Sequence, residues 1–257
     1  MNEELELPPI GSLDRYQELM KVVQNRVTVR KFQQDYKVPE DHYNLIIDAA
    51  RHAPSGANVQ PWHYIIVDEQ KTKDAITEYF VSEQRFRAKE KMKFPTPDYR
   101  GLATAPGFIV VCSDMRWVQA FPVFREGYEK DENLAEMYKE NAERILLQSV
   151  AASTMSAHLA AAALGYCVWW VTAIGQERAQ EAIRPILGIP KEISVLDIFL
   201  FGPPAQKPYK RWKKSQEEIV SRGSYDVERC FITDEEIQNW IKVRRHKVMY
   251  RDKKNID

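Results

Sequence analysis

The segment from Val150 to Leu164 restricts the fold of this chain more than any other part of the sequence. Most of its residues are Ala, Ser, Thr or Met, and it continues a helical pattern that begins near Asn133. A helix with small side chains on every side allows all of its neighbours to approach closely. We therefore predict one long central helix over about 133–164, with Gly165 in the C-terminal capping position. The small-residue segment alone is too short to span a bilayer.

Apolar periodicity and turn residues predict the other elements. Helices are expected over 13–25, from Pro39 to Ala53, over 69–80 and over 176–187, and strands over 62–67, 108–112, 167–171 and 193–201. A capping-box pattern from Thr233 to Glu236 predicts a further helix through Val243. Helices and strands that alternate in this way indicate a single domain of the α/β or α+β class.

The charge balance excludes some classes of function. Lys and Arg total 37, as do Asp and Glu, so the formal net charge is zero. General nucleic-acid and membrane-surface binders carry a basic excess, so neither kind of partner is expected. The three cysteines lie far apart without metal-ligand spacing, and the acidic N-terminal region lacks the pattern of a signal peptide. We therefore expect a reduced, cytoplasmic protein without a metal site.

Two groups of basic residues are candidates for binding an anion. Arg26, Thr28 and Arg30 occupy alternate positions, which point to one side in an extended chain. Two guanidinium groups and a hydroxyl on one side would clamp a phosphate. A strand edge with ordinary surface charges explains the same spacing equally well. The second group, Lys210, Arg211, Lys213 and Lys214, is by itself typical of a solvated surface.

The loop from Ala53 to Trp62 lies between a predicted helix and a predicted strand. It contains Pro54, Ser55, Gly56 and Asn58, and these residue types turn the chain sharply and expose backbone N–H, hydroxyl and amide groups. Such groups suit hydrogen bonding to a planar heterocycle. A plain connector is the alternative, although it would not need so constrained a sequence.

These motifs, in this order, resemble those of the nitroreductase superfamily. The segment 26–32 is similar to the family's Arg-Arg-Ser-x-Arg-x-Phe segment, which binds the phosphate and ribityl groups of FMN. The loop 53–62 is similar, almost letter for letter, to its Ala-Pro-Ser-x-x-Asn-x-Gln-Pro-Trp loop. Lys213 and Lys214 fit a late basic segment that reaches back to the FMN phosphate. The resemblance covers roughly residues 15–222, with Val27 in place of a basic residue and Thr28 in place of Ser.

The resemblance implies a nitroreductase-like α+β fold, with a central mixed β-sheet flanked by helices and the long central helix at a homodimer interface. It implies an FMN-binding domain over residues 1–222 and a charged, helical C-terminal extension over 223–257. The residues that it implies for cofactor binding are Arg26, Val27, Thr28, Arg30, Pro54, Ser55, Gly56, Asn58, Trp170, Val171, Thr172, Lys213 and Lys214.

The turn after the strand 167–171 distinguishes branches of the family. Many nitroreductases carry a Pro-x-Glu-Gly turn there, whose backbone N–H meets flavin N5, whereas this chain has Thr172 and Ala173. The turn is similar to the threonine-rich turn of the iodotyrosine deiodinase branch, in which a Thr hydroxyl reaches N5. Thr172 is therefore the candidate catalytic residue, and its hydroxyl would favour one-electron steps. The deiodinase lid pattern, Glu-x-x-x-Tyr, is not matched, because the residue four positions after Glu83 is Arg87 and not Tyr.

The resemblance implies an oxidoreductase with a ping-pong mechanism, in which NAD(P)H reduces FMN and leaves before an electron-poor small molecule takes the electrons. The acceptor would be a nitroaromatic, a quinone or an activated alkene. A flap over 81–130 is expected to shape the acceptor pocket, or simply to cover the flavin, with its aromatic residues Phe86, Phe94, Tyr99, Trp117, Phe121 and Phe124. Two alternatives stay open: a deiodinase-like or dehalogenase-like specialist, and a flavin-carrying protein without turnover.

Two further features have ordinary structural explanations. His158, in the central helix, is expected to be a satisfied histidine of the core or of an interface. The basic end of the helix over 233–248 is typical of a solvated helix face, with a partner-binding role as the alternative.

Overall fold

A computed structural model describes residues 9–90, 98–209 and 213–249. The chain divides into two compact units, the first of which ends at Pro208 and the second of which begins at Tyr209. The functional boundary expected between residues 222 and 223 stays a prediction. Phe94, Lys210 and Arg211, for which the sequence predicts roles, lie outside the described residues.

The first unit is built on a four-stranded sheet. Its strands are β1 (Trp62–Val67), β2 (Gly107–Asp114), β3 (Cys167–Val171) and β4 (Ile193–Gly202), in the order β1-β2-β4-β3. The four predicted strands are confirmed, as expected for runs of β-branched and aromatic residues. The expected mixed pairing needs correction, because all neighbouring strands pair antiparallel. A parallel contribution comes from one isolated bridge, between Thr28 and Val168.

Helices cover the sheet and form the second unit. They are α1 (Leu13–Asn25), α2 (Glu40–Arg51), α3 (Gln70–Lys89), α4 (Gly101–Thr104), α5 (Pro122–Lys130), α6 (Glu132–Ala163) and α7 (Glu177–Leu187), followed by α8 (Val227–Cys230) and α9 (Asp234–Met249). The fold class, α+β with a long central helix, is confirmed. The helix predicted over 69–80 continues to Lys89, so the expected flap begins as a regular helix.

The sheet separates two apolar clusters. Successive side chains of a strand point to opposite faces, and Val168 and Trp169 accordingly enter different clusters. The Trp169 cluster includes residues of α3 and α7, whereas the Val168 cluster includes residues of α2 and α6. Cys112 is a core residue, and burial raises the pKa of its thiol to about 12. Leu45 of α2, by contrast, is 53% exposed.

The long helix α6 is the central helix that the small-residue segment predicts. It buries Leu146, Val150 and Ala161 completely or nearly so, and it packs against α2 and the sheet. An 18-residue window within its segment Glu136–Ala163 has a mean hydropathy of 1.3, and the segment is, among the described helices, the one long and apolar enough to cross a membrane. The buried core helix of a soluble protein has the same length and composition, so this finding is weak support for a membrane span.

The second unit contains the predicted capping box at the start of α9. Thr233 Oγ1 accepts a hydrogen bond from the Glu236 backbone N–H at 3.2 Å, and Glu236 Oε2 accepts one from the Thr233 backbone N–H at 2.7 Å. The box satisfies two donors that a helix start leaves open. α9 runs to Met249, one residue beyond the helix expected over 233–248.

Candidate functional site

The loop from Ala53 to Trp62 has an unusual backbone. Ala57, Asn58 and Gln60 all have positive φ, at 50°, 53° and 49°. Residues other than Gly seldom adopt this conformation, and such strain persists only where the surroundings enforce it. Ser55 provides part of that enforcement, since its Oγ accepts from Gln60 N at 3.1 Å and its carbonyl oxygen accepts from Asn58 N at 3.0 Å.

The loop rests directly on α6. A Cβ atom on Gly56 would lie 2.2 Å from Ile145 Cγ2, so only Gly fits this contact. The Gly56 backbone N–H donates to Ser149 Oγ at 3.1 Å, and that hydroxyl donates to the Ile145 carbonyl at 2.7 Å. Sequence reasoning missed Ile145 and Ser149. Their spacing of one helical turn is the only signal for them, and it has meaning only once the loop is docked.

The segment 26–30 lies along the edge of β3. Val168 N donates to the Val27 carbonyl at 3.1 Å, and Val29 N donates to the Val168 carbonyl at 3.0 Å. Val27, which departs from the family motif, therefore helps to hold the segment on β3 through its backbone carbonyl. Thr28 is the bridge residue between these two hydrogen bonds.

The two arginines of this segment are associated with opposite faces of β3. The Arg30 guanidinium carbon lies 5.8 Å from the ring centroid of Trp169. Arg26 lies close enough to His158, which packs against Trp170, for its charge to lower the pKa of that imidazole. Since Trp169 and Trp170 are consecutive in β3, they point to opposite faces. Because the chain bends at Arg30, the three side chains do not alternate along one regular strand, and their role at a phosphate stays a prediction.

The turn after β3 presents Thr172 to solvent. Val171 is buried and pairs with Ile198 of β4, whereas Thr172 is exposed. The Gly175 N–H donates to the Thr172 carbonyl at 3.4 Å and closes the turn. Thr172 therefore stands at the C-terminal end of the same strand that pairs with the segment 26–30.

Behind β3 lies a buried polar group on α6. His158 is 2% exposed, with its ring 5.2 Å from Trp170 and 4.5 Å from Phe199. Burial, with a smaller contribution from Arg26, lowers its pKa to about 3, so the ring is neutral. Its burial is as predicted, but neither ring nitrogen has a hydrogen-bond partner among the described residues, so it is not the satisfied histidine that we expected.

A buried carboxyl group lies near the same strand. Burial raises the pKa of Asp197 on β4, while the nearby indole N–H of Trp170 and the hydroxyl of Thr154 oppose that rise. Thr154 Oγ1 donates to Asp197 Oδ2 at 3.2 Å, which ties α6 to the sheet.

In the described parts of the chain, no group of three or more His, Cys, Asp or Glu side chains could hold a metal ion.

The expected acceptor flap is only partly available for binding. Tyr99 is a core residue, with its ring 4.8 Å from Phe80 and 6.0 Å from Trp169, so its predicted place in an acceptor pocket is wrong. Phe86 and Trp117 are 43% and 45% exposed. Phe121 lies beside Gly56, whereas Phe94 and the side chain of Phe124 lie outside the described residues.

Glu83 and the two late lysines are the remaining predicted elements of the site. Glu83, the residue compared with the deiodinase lid, is buried and forms an ion pair with Arg178 of α7 at 3.0 Å. Lys213 and Lys214 are exposed members of the second compact unit, whereas the other predicted cofactor residues belong to the first. The roles of both lysines stay predictions.

Comparisons with known proteins agree with this fold and these motifs. The chain matches the Nitroreductase family over residues 23–202. It is 24% identical to an NADH dehydrogenase of Thermus thermophilus over 76% of this chain and 91% of the relative. It is 38% identical to an iodotyrosine deiodinase of Thermotoga neapolitana over 23% of this chain and 31% of that relative. The solved structure of an FMN-dependent nitroreductase from Clostridium difficile has a TM-score of 0.58 and 19% identity, and the match covers 80% of this chain and 99% of that one.

The fold and the matched relatives define an oxidoreductase. The family match covers well over half of the sequence and includes β1 to β4, the loop 53–62 and the segment 26–32. The chain belongs to the Nitroreductase family.

Proposed function

We propose that this protein is an FMN-dependent oxidoreductase that takes electrons from NAD(P)H and reduces an electron-poor small molecule. The observation that carries the proposal is the strained loop 53–62, held on α6 through Gly56. Backbone strain of this kind is concentrated at binding sites. Here it occurs in the loop whose sequence resembles the FMN-binding loop of the family.

The donors of the loop fit the edge of a planar heterocycle. Ser55 Oγ uses a lone pair to accept from Gln60 N, so its own hydrogen is available for donation. Asn58 Oδ1 accepts from Gln60 Nε2 at 3.3 Å, which leaves the Asn58 NH2 group as the donor. Pro54 and Gly56 fix the approach of the loop. These groups would orient the ring system and the ribityl chain.

The segment along β3 would hold the phosphate end of the cofactor. Arg26, Thr28 and Arg30 would supply charge and a hydroxyl, and Lys213 and Lys214 are the further basic residues that the resemblance implies for the phosphate. Trp170 and Val171 would line the ring site, and Thr172 would donate its hydroxyl at flavin N5. Bound FMN would supply the redox chemistry, whereas the chain contributes position and electrostatics.

We further propose a ping-pong cycle in a cytoplasmic homodimer, with a nitroaromatic, a quinone or an activated alkene as the acceptor. Exposed apolar side chains of α1 and α6 support a second copy as the partner: Leu13, Tyr16, Leu19, Leu147 and Met155. Phe86, Trp117 and Phe121 are the described aromatic residues of the flap that suit an acceptor pocket. Residues 1–222 would form the FMN-binding part, and residues 223–257 an extension.

A deiodinase-like or dehalogenase-like specialist is the second candidate. The exposed Thr172 hydroxyl at the end of β3 supports it, as does the local similarity to the Thermotoga neapolitana deiodinase. The ion pair of Glu83 with Arg178 opposes it, because Glu83 is then engaged in the fold and does not face a substrate. A flavin-carrying protein without turnover is a further alternative.

The deciding experiment is an anaerobic titration of the purified, FMN-loaded protein, first with dithionite and then with NADH or NADPH, followed by absorbance. One FMN per chain that NAD(P)H bleaches is the expected result. Accumulation of a neutral semiquinone would favour the specialist, and FMN that only dithionite reduces would favour the carrier. A protein that binds no FMN would overturn the proposal. Light scattering at the same protein concentration tests the dimer.

A further inference from the structure

The side chain of Gln180 on α7 connects the Thr172 turn to β4. Its amide is buried, with the residue 8% exposed. Nε2 donates to the Ile174 carbonyl at 2.9 Å and to the Val195 carbonyl at 2.5 Å, and Oε1 accepts from Val195 N at 2.8 Å. Both amide hydrogens and the carbonyl oxygen are therefore used in hydrogen bonds. Two of these three hydrogen bonds are made to β4, and one is made to the turn.

Gln180 occupies the place where pairing of β3 with β4 would have continued. The last pair is Val171 with Ile198, and three further steps of the same register would set Ile174 opposite Val195. The Gln180 amide instead lies between these two backbones and bonds to both. A side-chain amide carries the same donor and acceptor groups as a backbone amide, so it replaces a strand neighbour without loss of hydrogen bonds.

The backbone of β4 is irregular at the same point. The pairing of β2 with β4 shifts between Val111 and Cys112, which face Asp197 and Val195, so that Leu196 is the extra residue. A bulge of this kind redirects the strand and interrupts its ladder. Because Gln180 binds both backbone groups of Val195, it holds β4 immediately beside the bulge.

The hydrogen bond from Gln180 to Ile174 fixes the direction in which the chain leaves β3. Ile174 is fully buried and is anchored by the Gln180 amide, while Thr172, two residues earlier, is exposed. A tight turn connects them, closed by Gly175 N and the Thr172 carbonyl. The turn that carries Thr172 is thus anchored from its buried side.

We propose that Gln180 is a positioning residue, which sets the place of the Thr172 hydroxyl by separating the turn from β4. The inference rests on the proposed function, because Thr172 matters to catalysis only if FMN is bound at the end of β3. Gln180 itself is buried in the core and acts through the turn.

The first test follows amide exchange in Gln180→Met, which keeps most of the side-chain volume and cannot donate. Lys73→Met is the matched control, since Lys73 is also buried and donates to backbone carbonyls, those of Ala105 and Pro106, near the opposite end of the sheet. We expect exchange at Gly175 and Val195 to become at least about tenfold faster in Gln180→Met only. Unchanged exchange would overturn the inference, whether or not the protein binds FMN.

The second test is a double-mutant cycle on the FMN-loaded protein. Gln180→Met should slow the reduction of bound FMN by saturating NAD(P)H about tenfold, as expected for displaced reacting groups, and should lower the semiquinone yield. In a Thr172→Ala background the same substitution should have little further effect, because both changes remove the same contribution, that of the Thr172 hydroxyl. Independent, additive effects would show that Gln180 acts only through general stability and would overturn the inference. Failure of wild-type FMN reduction would overturn the proposed function instead, and the exchange test would still decide the role of Gln180.

Discussion

The loop 53–62 and the turn after β3 are both held in unusual positions, but by different means. The loop is strained in its own backbone and is held from α6, where Gly56 has no room for a side chain. The Thr172 turn has no positive φ, and a buried side chain from α7 holds it. A backbone conformation that requires Gly, Pro and Asn can be predicted from the local sequence, whereas support from a distant side chain cannot.

The region around β3 also contains a group that makes the fold sensitive to acid. The β3 region includes His158, which folding keeps neutral with a pKa of about 3, compared with 6.5 for an ordinary histidine. Between these pH values the unfolded chain binds a proton that the folded chain does not bind, so stability is full above about pH 6.5 and decreases as the pH falls. The fold therefore predicts an acid sensitivity that originates at His158 beside β3.

The prediction with the largest expected effect is that His158→Leu reduces this pH dependence. The free energy of unfolding of the wild type should fall by about 1.4 kcal/mol per pH unit more than that of the variant between about pH 6 and pH 4. Urea unfolding at fixed protein concentration measures it. Asp197, whose pKa is raised, and Arg26 are present in both proteins, so their contributions cancel in the difference. Parallel pH profiles would show that His158 is not kept neutral by the fold.

The second prediction concerns crowding beneath the loop. Gly56→Ala places a Cβ 2.2 Å from Ile145 Cγ2, so the loop or α6 must shift, at a cost of about 1–3 kcal/mol. Thermal unfolding and the dissociation constant for FMN should both show the change. Ile145→Ala removes the clashing methyl group, and the double variant should recover part of the FMN affinity. If it recovers none, the loop does not depend on this contact.

The sequence predicted the four strands and the helices α1, α2, α3, α6, α7 and α9, because each depends on local residue types, whereas it did not predict α4, α5 or α8. The residues with positive φ, Asn58 and Gln60, lie in the same short segment as the residue types that predict a sharply turning loop. The sequence did not predict that Arg30 reaches Trp169, since this contact depends on a bend in the chain at Arg30. Nor did it predict Tyr99 as a core residue, because an aromatic residue in a charged segment indicates neither burial nor exposure.

The supporting residues were harder to predict than the motifs. Ser149 is one of several small residues of α6, and only the docked loop distinguishes it. Gln180 did leave a signal, because it precedes Ile183 and Leu187 at helical spacing and is therefore a polar residue on the apolar face of α7. Such a residue must find buried hydrogen-bond partners, but the sequence does not say which ones.

The third prediction separates the hydrogen bond beneath the loop from the steric contact. Ser149→Ala leaves the Gly56 N–H without its partner, which should cost about 1 kcal/mol and weaken FMN binding several-fold. Ser156→Ala is the matched control, because Ser156 Oγ donates to the Ala152 carbonyl of the same helix. Equilibrium titration with FMN compares the two. Equal losses of affinity would show that the change in α6, and not the bond to Gly56, is responsible.

The smallest expected effect on stability is that of Thr172→Val, because Thr172 is exposed and its side chain supports nothing in the fold. The free energy of unfolding should change by less than about 0.5 kcal/mol. The semiquinone yield during dithionite titration should nevertheless fall, and Thr172→Ser should retain it, because Ser keeps the hydroxyl that would donate at N5. A loss of semiquinone in the Ser variant as well would assign the effect to the methyl group or to the backbone. The turn would then resemble the loop, with the backbone as its functional part, and the contrast between the two regions would fail.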